Sequence, residues 1–233
     1  MSGINWEAED AKYIWHPAMQ MKDNEVFPPV VIDHAKGCYL YDTHGKAYLD
    51  IISSWWCNLL GHANPEINAA LKQQVDELEH VIFTNFTHKP AIELARELSE
   101  LLPVGLTKFT FHDNGSSAVE AALKMAFQYQ YQTGHPERTR FMCLPESYHG
   151  ETIGALSVGS MDLYAKIFHP MLMNNIHFKG LDCYRCPYGK TRETCGVECF
   201  EDAEAAFKKY GKETVACIVE PILQGAAGMR IYP

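Results

Sequence analysis

The sequence predicts an α/β fold in which a mainly parallel sheet is flanked by helices and preceded by a small antiparallel segment. After Gly61, helical patterns alternate with short strand-like segments, which is typical of parallel strands joined by helical crossovers. The run VACIV at 215–219 is continuously apolar, as expected for a buried parallel strand. Before Gly61, residues 27–50 contain short alternating segments and a DTHG turn at 42–45, and these features predict an antiparallel meander.

The first helix of the alternating region has both a start signal and an apolar face. Asn64 is a good N-cap and Pro65 suits the first helical position. Apolar residues from Ile67 to Leu78 then recur at helical spacing, so we expect this helix to bury one face. Further helices are predicted over 90–102, with its apolar residues facing inward, and over 116–132, 151–158 and 201–210, and further strands over 107–112 and 140–144.

Composition excludes several classes of protein. The 233 residues include 20 basic and 29 acidic side chains, and the net charge of -9 argues against binding to nucleic acid. No apolar run approaches the roughly 20 residues of a membrane helix. The N-terminal MSGINWEAED lacks the cationic and apolar regions of a secretory signal. We therefore expect a cytoplasmic protein whose eight cysteines are thiols or metal ligands rather than disulfides.

Two loops at predicted strand ends carry residues suited to binding, because ligands of parallel sheets collect at the carboxyl ends of the strands. Gly115 permits a tight turn and Ser116 opens a helix, so this loop is a candidate phosphate site, unless its serines merely cap the helix. Tyr148 and His149 lie side by side in the second loop. They are candidates for stacking on a planar ligand and donating hydrogen bonds to it, or else form a solvent-facing pair.

A carboxylate and a tryptophan pair are further candidates. Glu220 directly follows the strand at 215–219, where a carboxylate needs a partner. It serves either a ligand, a helix cap or a structural ion pair. The adjacent Trp55 and Trp56 cannot share one core face in a strand, so at least one is expected to line a cleft or an interface, the alternative being core packing on different neighbours.

In this order, the motifs resemble those of the class III, pyridoxal-phosphate-dependent aminotransferases. The resemblance covers nearly the whole chain and implies a fold type I pyridoxal-phosphate-dependent transferase, of which this chain is the N-terminal part. The motifs that carry it are IWHP at 14–17, SSWW at 53–56, DNGSSAVEAALKMA at 113–126, YHGETIGALSVGS at 148–160 and EPILQGAAGMR at 220–230.

The resemblance implies roles for the candidate residues, with pyridoxal 5′-phosphate as cofactor. It places two residues at the cofactor phosphate, three around the cofactor ring and two tryptophans in the substrate pocket, and it assigns no catalytic residue and no metal ligand. The phosphate residues are Gly115 and Ser116, and the substrate-pocket tryptophans are Trp55 and Trp56. The ring residues are Tyr148, which also touches substrate, His149, and Glu220, which lies near the phenolic oxygen.

Within the family, the tryptophan pair resembles the branch that acts in biotin synthesis. This implies transfer of the amino group of S-adenosylmethionine to 8-amino-7-oxononanoate, which gives 7,8-diaminononanoate, by a homodimer. Ala18 stands where the best-known members of this branch have a tyrosine that helps to recognise substrate. Another class III ω-aminotransferase, with a lysine, ornithine or ω-amino acid donor, therefore stays open.

The resemblance also implies a domain organisation. Residues 1–60 correspond to the N-terminal segment of the family's small domain, and 61–233 to the first part of its large cofactor-binding domain. The family's cofactor-binding lysine, and the aspartate that pairs with the pyridine nitrogen, lie downstream of the EP loop at 220–221. We therefore expect the rest of the enzyme to be absent here, and residues 1–233 alone to be inactive.

Four cysteines cluster in a Cys-rich insertion at 169–200. They follow the pattern C-x2-C, eight residues, then C-x3-C, and the insertion shows little helix or strand pattern. Zinc held by four thiolates, a disulfide or plain thiols are the three interpretations. A zinc site would favour a competing function, that of a non-catalytic interaction module ordered by the metal. The residues are Cys183, Cys186, Cys195 and Cys199.

Overall fold

The computed structural model describes residues 3–179 and 181–232 and confirms the predicted α/β class. The chain divides into two compact units, one ending at Leu106 and the other beginning at Thr107. The predicted small-domain and large-domain segments, 1–60 and 61–233, stay a prediction. Within the described ranges, no helix combines the length and the apolar character needed to cross a membrane.

The first unit contains the predicted antiparallel meander. Its strands are β1 (Ile32–Lys36), β2 (Tyr39–Asp42) and β3 (Ala47–Leu49), paired in the order β1-β2-β3. Gly45, at φ +82°, closes the turn between β2 and β3, as the DTHG motif predicts. The Asp42 carboxylate accepts hydrogen bonds from the backbone amides of His44 and Lys46, at 2.9 and 2.8 Å, and these bonds stabilise the turn.

Along the chain, the helices of the first unit come both before and after these three strands. The helix α1 (Trp6–Tyr13), whose N-cap is Asn5, was not expected, because it has no apolar stripe. A single turn, α2 (Ser53–Trp56), follows β3. The predicted helices are confirmed as α3 (Pro65–Glu77) and α4 (Lys89–Leu101). A short 3-10 turn spans Asp23–Glu25, and the Asn64 side chain caps α3 as predicted.

The prediction that α3 and α4 bury their apolar faces is wrong for this chain. Leu71 of α3 is 60% exposed and Ile92 of α4 is 55% exposed. Neither helix contains a buried residue. Spacing along a helix identifies the residues that share a face, whereas burial depends on a partner surface that local sequence does not specify.

The second unit contains a parallel sheet with the order β5-β4-β6. Its strands are β4 (Arg140–Cys143), β5 (Ile176–His177) and β6 (Thr214–Ile218). The predicted strand at 140–144 is therefore confirmed as the centre of this sheet. Because β4 has a neighbour on each side, Met142 and Cys143 are fully buried.

Helices flank this sheet, and residues from both layers share one core. The predicted helices appear as α5 (Gly115–Gln132), α6 (Ile153–Val158) and α8 (Cys199–Tyr210), with the short α7 (Asp162–Ala165) and a 3-10 segment at Lys166–Met171 between α6 and β5. The strands β7 (Leu223–Gln224) and β8 (Arg230–Ile231) form a separate antiparallel pair. The shared core consists of Leu123, Phe141, Cys143, Val158 and Val215.

Three further predictions need correction. Residues 107–112 form no strand, because no segment among the described residues pairs with them. The helix expected from Glu151 begins at Ile153. The strand β6 is parallel as predicted but not continuously buried: Cys217 is exposed, since β6 lies at the edge of the described sheet.

Most of the Cys-rich insertion at 169–200 has no regular structure, but its segment Ile176–His177 forms β5 of the parallel sheet, which was not predicted. Its four cysteines line one cavity of about 360 Å³. All eight cysteines of the chain are free thiols. Across residues 3–179 and 181–232, no three histidine, cysteine, aspartate or glutamate side chains are grouped so that they could hold a metal ion.

Candidate functional site

The predicted loops of the second unit meet at the carboxyl ends of β4 and β6. The loop after β4 contains Tyr148 and Gly150, the loop after β6 contains Glu220, and α5 begins at Gly115. Hydrogen bonds join the loop after β4 both to the loop after β6 and to the start of α5. The rule that ligands collect at this edge of a parallel sheet therefore identifies a real cluster of side chains.

The first turn of α5 is open. Gly115 is exposed, and a Cβ atom placed on it would have nothing within 4 Å apart from its chain neighbours and the helix's own backbone. The Asn114 side chain caps the helix by accepting the Ser117 amide at 2.9 Å. Asn114, rather than either serine, thus supplies the side-chain cap. An open first turn with its dipole pointing outward is a suitable place for an anion.

The two serines of this turn have different surroundings. The Ser117 hydroxyl binds the Asp113 carboxylate and lowers the pKa of that group. The Ser116 hydroxyl faces the loop after β4 and accepts the Glu151 amide at 3.4 Å. Ser116 is therefore the serine that joins the helix start to the Tyr148 loop, whereas its predicted role at a cofactor phosphate stays a prediction.

Gly150 makes the approach of these two segments possible. Its φ is +121°, and a Cβ atom at this position would overlap the Ser116 hydroxyl and the Ser116 backbone. Only glycine satisfies both constraints. Gly150 is not among the residues predicted for the site, although a glycine directly after a Tyr-His pair is a signal of close backbone approach.

We expect Gly150→Ala to destabilise the protein by more than the strain of a positive φ alone, which is about 1–3 kcal/mol. The added methyl group must also displace Ser116. The matched control is Gly134→Ala, since Gly134 has φ +88° and open space around its Cβ position. Urea unfolding of both variants measures the difference. Equal free energies of unfolding would show that Gly150 is not a point of close contact.

Tyr148 is held on three sides. Its hydroxyl donates to the Glu151 carboxylate at 3.1 Å, and its ring packs edge-on against Tyr164 with ring centroids 5.8 Å apart. Its backbone amide donates to Glu220 Oε1 at 2.9 Å. Burial, and then the negative Glu151, raise the pKa of the Tyr148 hydroxyl, which keeps it protonated at neutral pH.

His149 is half-buried, and its Nε2 atom is buried. Its Nε2 has no hydrogen-bond partner in the part of the chain that the structure describes. Burial lowers the pKa of the imidazole, and the nearby Glu220 carboxylate only partly opposes this effect, so the ring is neutral at neutral pH. A buried nitrogen without a partner is costly, and a ligand or a water molecule at this site would satisfy it.

Glu220 connects the loops that follow the two strands. Its Oε1 accepts the Tyr148 amide at 2.9 Å, and its Oε2 accepts the Gly225 amide at 3.0 Å. The buried Gln224 adds a second connection by donating to the Pro145 carbonyl oxygen at 2.8 Å. Glu220 therefore neither caps a helix nor forms an ion pair, the two structural alternatives left open by the sequence, because its partners are backbone amides of two loops.

A second carboxylate, Glu120, was not predicted. It accepts the amides of Gly154 and Ala155 at 2.7 and 3.2 Å, at the start of α6. A hydrogen bond from Thr152 contributes most to lowering its pKa. A Cβ atom on Gly154 would overlap this carboxylate. Nothing in the local sequence indicates the contact, because its partners lie more than 30 residues away along the chain.

The tryptophan pair belongs to the first unit. Trp55 is 68% exposed and Trp56 is 64% exposed, which excludes core packing of either indole within that unit. Both lie in the single turn α2, where they have φ values of +66° and +68°. The expectation that at least one indole lines a cleft or an interface stays a prediction.

Comparisons with known proteins give a consistent result. Residues 19–233 match the family model described as aminotransferase class-III. The chain is 44% identical over 225 residues to the adenosylmethionine-8-amino-7-oxononanoate aminotransferase of Geobacter sulfurreducens, covering 96% of this chain and 50% of that protein. It is 42% identical to the enzyme of the same name from Helicobacter pylori, covering 98% of this chain and 50% of that protein.

Solved structures agree with these matches. The enzyme of the same name from Methanocaldococcus jannaschii superimposes with a TM-score of 0.88 at 38% identity, over 98% of this chain and 49% of that chain. An ω-transaminase of Pseudomonas jessenii, solved in complex with PMP, superimposes with a TM-score of 0.90 at 28% identity, over 99% and 51% of the two chains. The chain thus spans about half the length of the relatives that it matches.

Proposed function

This chain belongs to the class-III aminotransferase family, and from that premise we propose that the protein binds pyridoxal 5′-phosphate at the loops described above. The observation that carries the proposal is the convergence of Ser116, Tyr148 and Glu220, which are far apart in sequence and joined by hydrogen bonds through two loops. When bound, the cofactor supplies the electron sink and amino carrier for transamination.

The residues present suit the cofactor phosphate. We assign it to the first turn of α5, at Gly115 and Ser116, where the helix dipole favours an anion. A Cβ atom on Gly115 would meet nothing within 4 Å beyond its chain neighbours and the helix's own backbone, which leaves space beside this residue. The nearby Asp113 carboxylate accepts hydrogen bonds from the Ser117 hydroxyl and the Asn114 side chain, which fix its position.

The residues present also suit the cofactor ring. We assign the Tyr148 ring to one side of the heterocycle, where Glu151 and Tyr164 hold its orientation. His149 offers a neutral imidazole with a buried nitrogen that lacks a partner among the described residues. Glu220 keeps the Tyr148 loop in place through the Tyr148 amide, and we assign its carboxylate to the neighbourhood of the cofactor's phenolic oxygen.

For the reaction, we propose transfer of an amino group from S-adenosylmethionine to 8-amino-7-oxononanoate, which gives 7,8-diaminononanoate and serves biotin biosynthesis. The names of the relatives from Geobacter sulfurreducens and Helicobacter pylori support this assignment. We assign Trp55, Trp56 and Tyr148 to substrate binding; the exposure of both indoles makes them accessible to a ligand. We further propose a cytoplasmic homodimer.

We expect the full-length protein to aminate 8-amino-7-oxononanoate with S-adenosylmethionine at a higher kcat/KM than with lysine, ornithine or a simple ω-amine. The comparison of donors is needed because Ala18 stands where the best-known members of the biotin branch have a tyrosine that helps to recognise substrate. Each donor is tested at saturating acceptor, with product formation as the readout. A preference for lysine would leave the family intact and overturn the proposed donor.

Residues 1–233 alone provide a second test. Since the chain spans about half the length of its relatives, we expect a polypeptide of these residues to show no measurable transamination. The comparison is with the complete gene product under the same conditions. Activity of the shorter polypeptide would show that the residues described here are sufficient for catalysis.

A further inference from the structure

The turn that displays the tryptophan pair has an unusual backbone. Four consecutive residues other than glycine, Ser53 to Trp56, have φ values of +49°, +47°, +66° and +68°. A left-handed turn of this kind is unfavourable for L-amino acids, because each Cβ approaches the following carbonyl oxygen. Single residues adopt this conformation routinely only as glycine or asparagine, so a run of four requires support from neighbouring groups.

The support comes from Asp50. One carboxylate oxygen accepts the Ser54 amide at 2.9 Å, and the other accepts the Ser54 hydroxyl at 2.8 Å. The second oxygen also binds His62 Nε2 at 2.7 Å. The Asp50 side chain is only 5% exposed. The Ser54 amide, followed by His62 and the Ser54 hydroxyl, lowers the pKa of Asp50 from 3.8 to about 2, so the group is a carboxylate throughout the physiological range.

His62 is itself attached to the sheet. Its amide donates to the Gly37 carbonyl oxygen at 2.7 Å, and its own carbonyl oxygen accepts the Gly37 amide at 3.0 Å. Gly37 forms the turn between β1 and β2. The Asp50 amide donates to the Cys38 carbonyl oxygen at 2.9 Å, which is a second link to the same hairpin. The hydrogen bonds therefore run from the sheet, through Asp50 and His62, to Ser54.

We propose that Asp50, held by His62, is a positioning residue that keeps the Ser53–Trp56 turn left-handed and so presents both indoles to the apolar part of an amino or keto substrate. The inference rests on the proposed role of Trp55 and Trp56 in substrate binding. Asp50 touches neither substrate nor cofactor in this role. It acts through the conformation of Ser54, whose backbone and hydroxyl it holds.

The test is Asp50→Asn in the full-length enzyme. We expect KM for the keto acceptor to rise about tenfold, as for loss of a charge-assisted hydrogen bond, while the affinity for pyridoxal phosphate changes less than about twofold. Acrylamide quenching of Trp55 and Trp56 should also rise, measured in full-length protein whose other tryptophans, Trp6 and Trp15 among them, are replaced by phenylalanine. The matched control is Asp33→Asn in the same unit, because Asp33 is exposed and should leave each of these values unchanged.

A second substitution separates positioning from general stability. Glycine adopts a positive φ without strain, so Ser54→Gly added to Asp50→Asn should restore KM to within about threefold of the parent. A purely structural role for Asp50 predicts no such rescue. If Asp50→Asn does not fold, Ser54→Ala, which removes the hydroxyl contact alone, is measured instead, with the same direction of change expected.

The outcomes distinguish this inference from the proposed function. A raised KM in Trp55→Ala together with an unchanged KM in Asp50→Asn would overturn the positioning role while supporting the substrate site. An unchanged KM in both Trp55→Ala and Trp56→Ala would overturn the substrate role of the indoles, and with it this inference. A raised KM in Asp50→Asn that Ser54→Gly does not restore would assign Asp50 to stability rather than to the turn.

Discussion

Gly115→Asp is expected to weaken cofactor binding strongly while leaving the protein at least as stable as the parent. The new carboxylate occupies open space at the first turn of α5, where a negative charge interacts favourably with the helix dipole by about 0.3–1 kcal/mol. The same charge repels a phosphate at that turn. We expect the Kd for pyridoxal phosphate to rise at least about 100-fold, measured by absorbance titration, with no fall in the free energy of unfolding without cofactor.

Two variants separate charge from size at this position. Gly115→Asn has nearly the same shape without the charge, and Gly115→Ala adds only a methyl group to a position with no neighbour within 4 Å. Both should bind pyridoxal phosphate within about tenfold of the parent. Equal affinities of the aspartate and asparagine variants would mean that no anion binds at this turn, and the phosphate assignment would fail.

Glu220→Ala is expected to lower the free energy of unfolding by about 2–4 kcal/mol, because two backbone amides lose a charged acceptor at the same time. These are the amides of Tyr148 and Gly225, at 2.9 and 3.0 Å. Without them the loop after β4 is no longer joined through Glu220 to the loop after β6. The affinity for pyridoxal phosphate should fall as well, since Tyr148 loses its fixed place; urea unfolding and absorbance titration measure the two effects.

The control is an exposed carboxylate of the same unit. Glu137 is 56% exposed and pairs with His135 at 3.4 Å, so Glu137→Ala should change stability by less than about 0.5 kcal/mol. Glu220→Gln keeps one acceptor oxygen but turns an amino group toward the other amide. Its free energy of unfolding should therefore lie between those of Glu220→Ala and the parent. A Glu220→Ala variant as stable as Glu137→Ala would show that Glu220 does not join the loops.

Local signals in the sequence predicted much of the second unit. Alternation of apolar strands with amphipathic helices predicted α5, α6, α8, β4 and β6, and the structure confirms each of them. Those signals act within a few residues, as when Asn64 caps α3. The strand predicted at 107–112 does not form, because a strand requires a pairing segment and its own local sequence does not specify one.

For the candidate site, the sequence predicted the residues but not the contacts between them. The residue types at Ser116, Tyr148 and Glu220 were recognisable from their positions after strands and before a helix. Their connections were not, because the Glu220–Tyr148 bond spans 72 residues and the Ser116–Glu151 bond spans 35. Glu120 and Gly150 were missed because their roles exist only through such distant neighbours.

By itself, the sequence determined the fold class and most helices and strands, since caps, turns and periodicity depend on nearby residues. It also contains the motifs by which the chain resembles the class-III aminotransferases. Only the tertiary structure decided which of two serines faces the Tyr148 loop, that Glu220 joins two loops, and that Ser53–Trp56 turns left-handed. It also decided that the apolar faces of α3 and α4 are exposed. Each of these outcomes depends on groups brought together, or not, by chain folding, and the free energy of such contacts is not a property of any single segment.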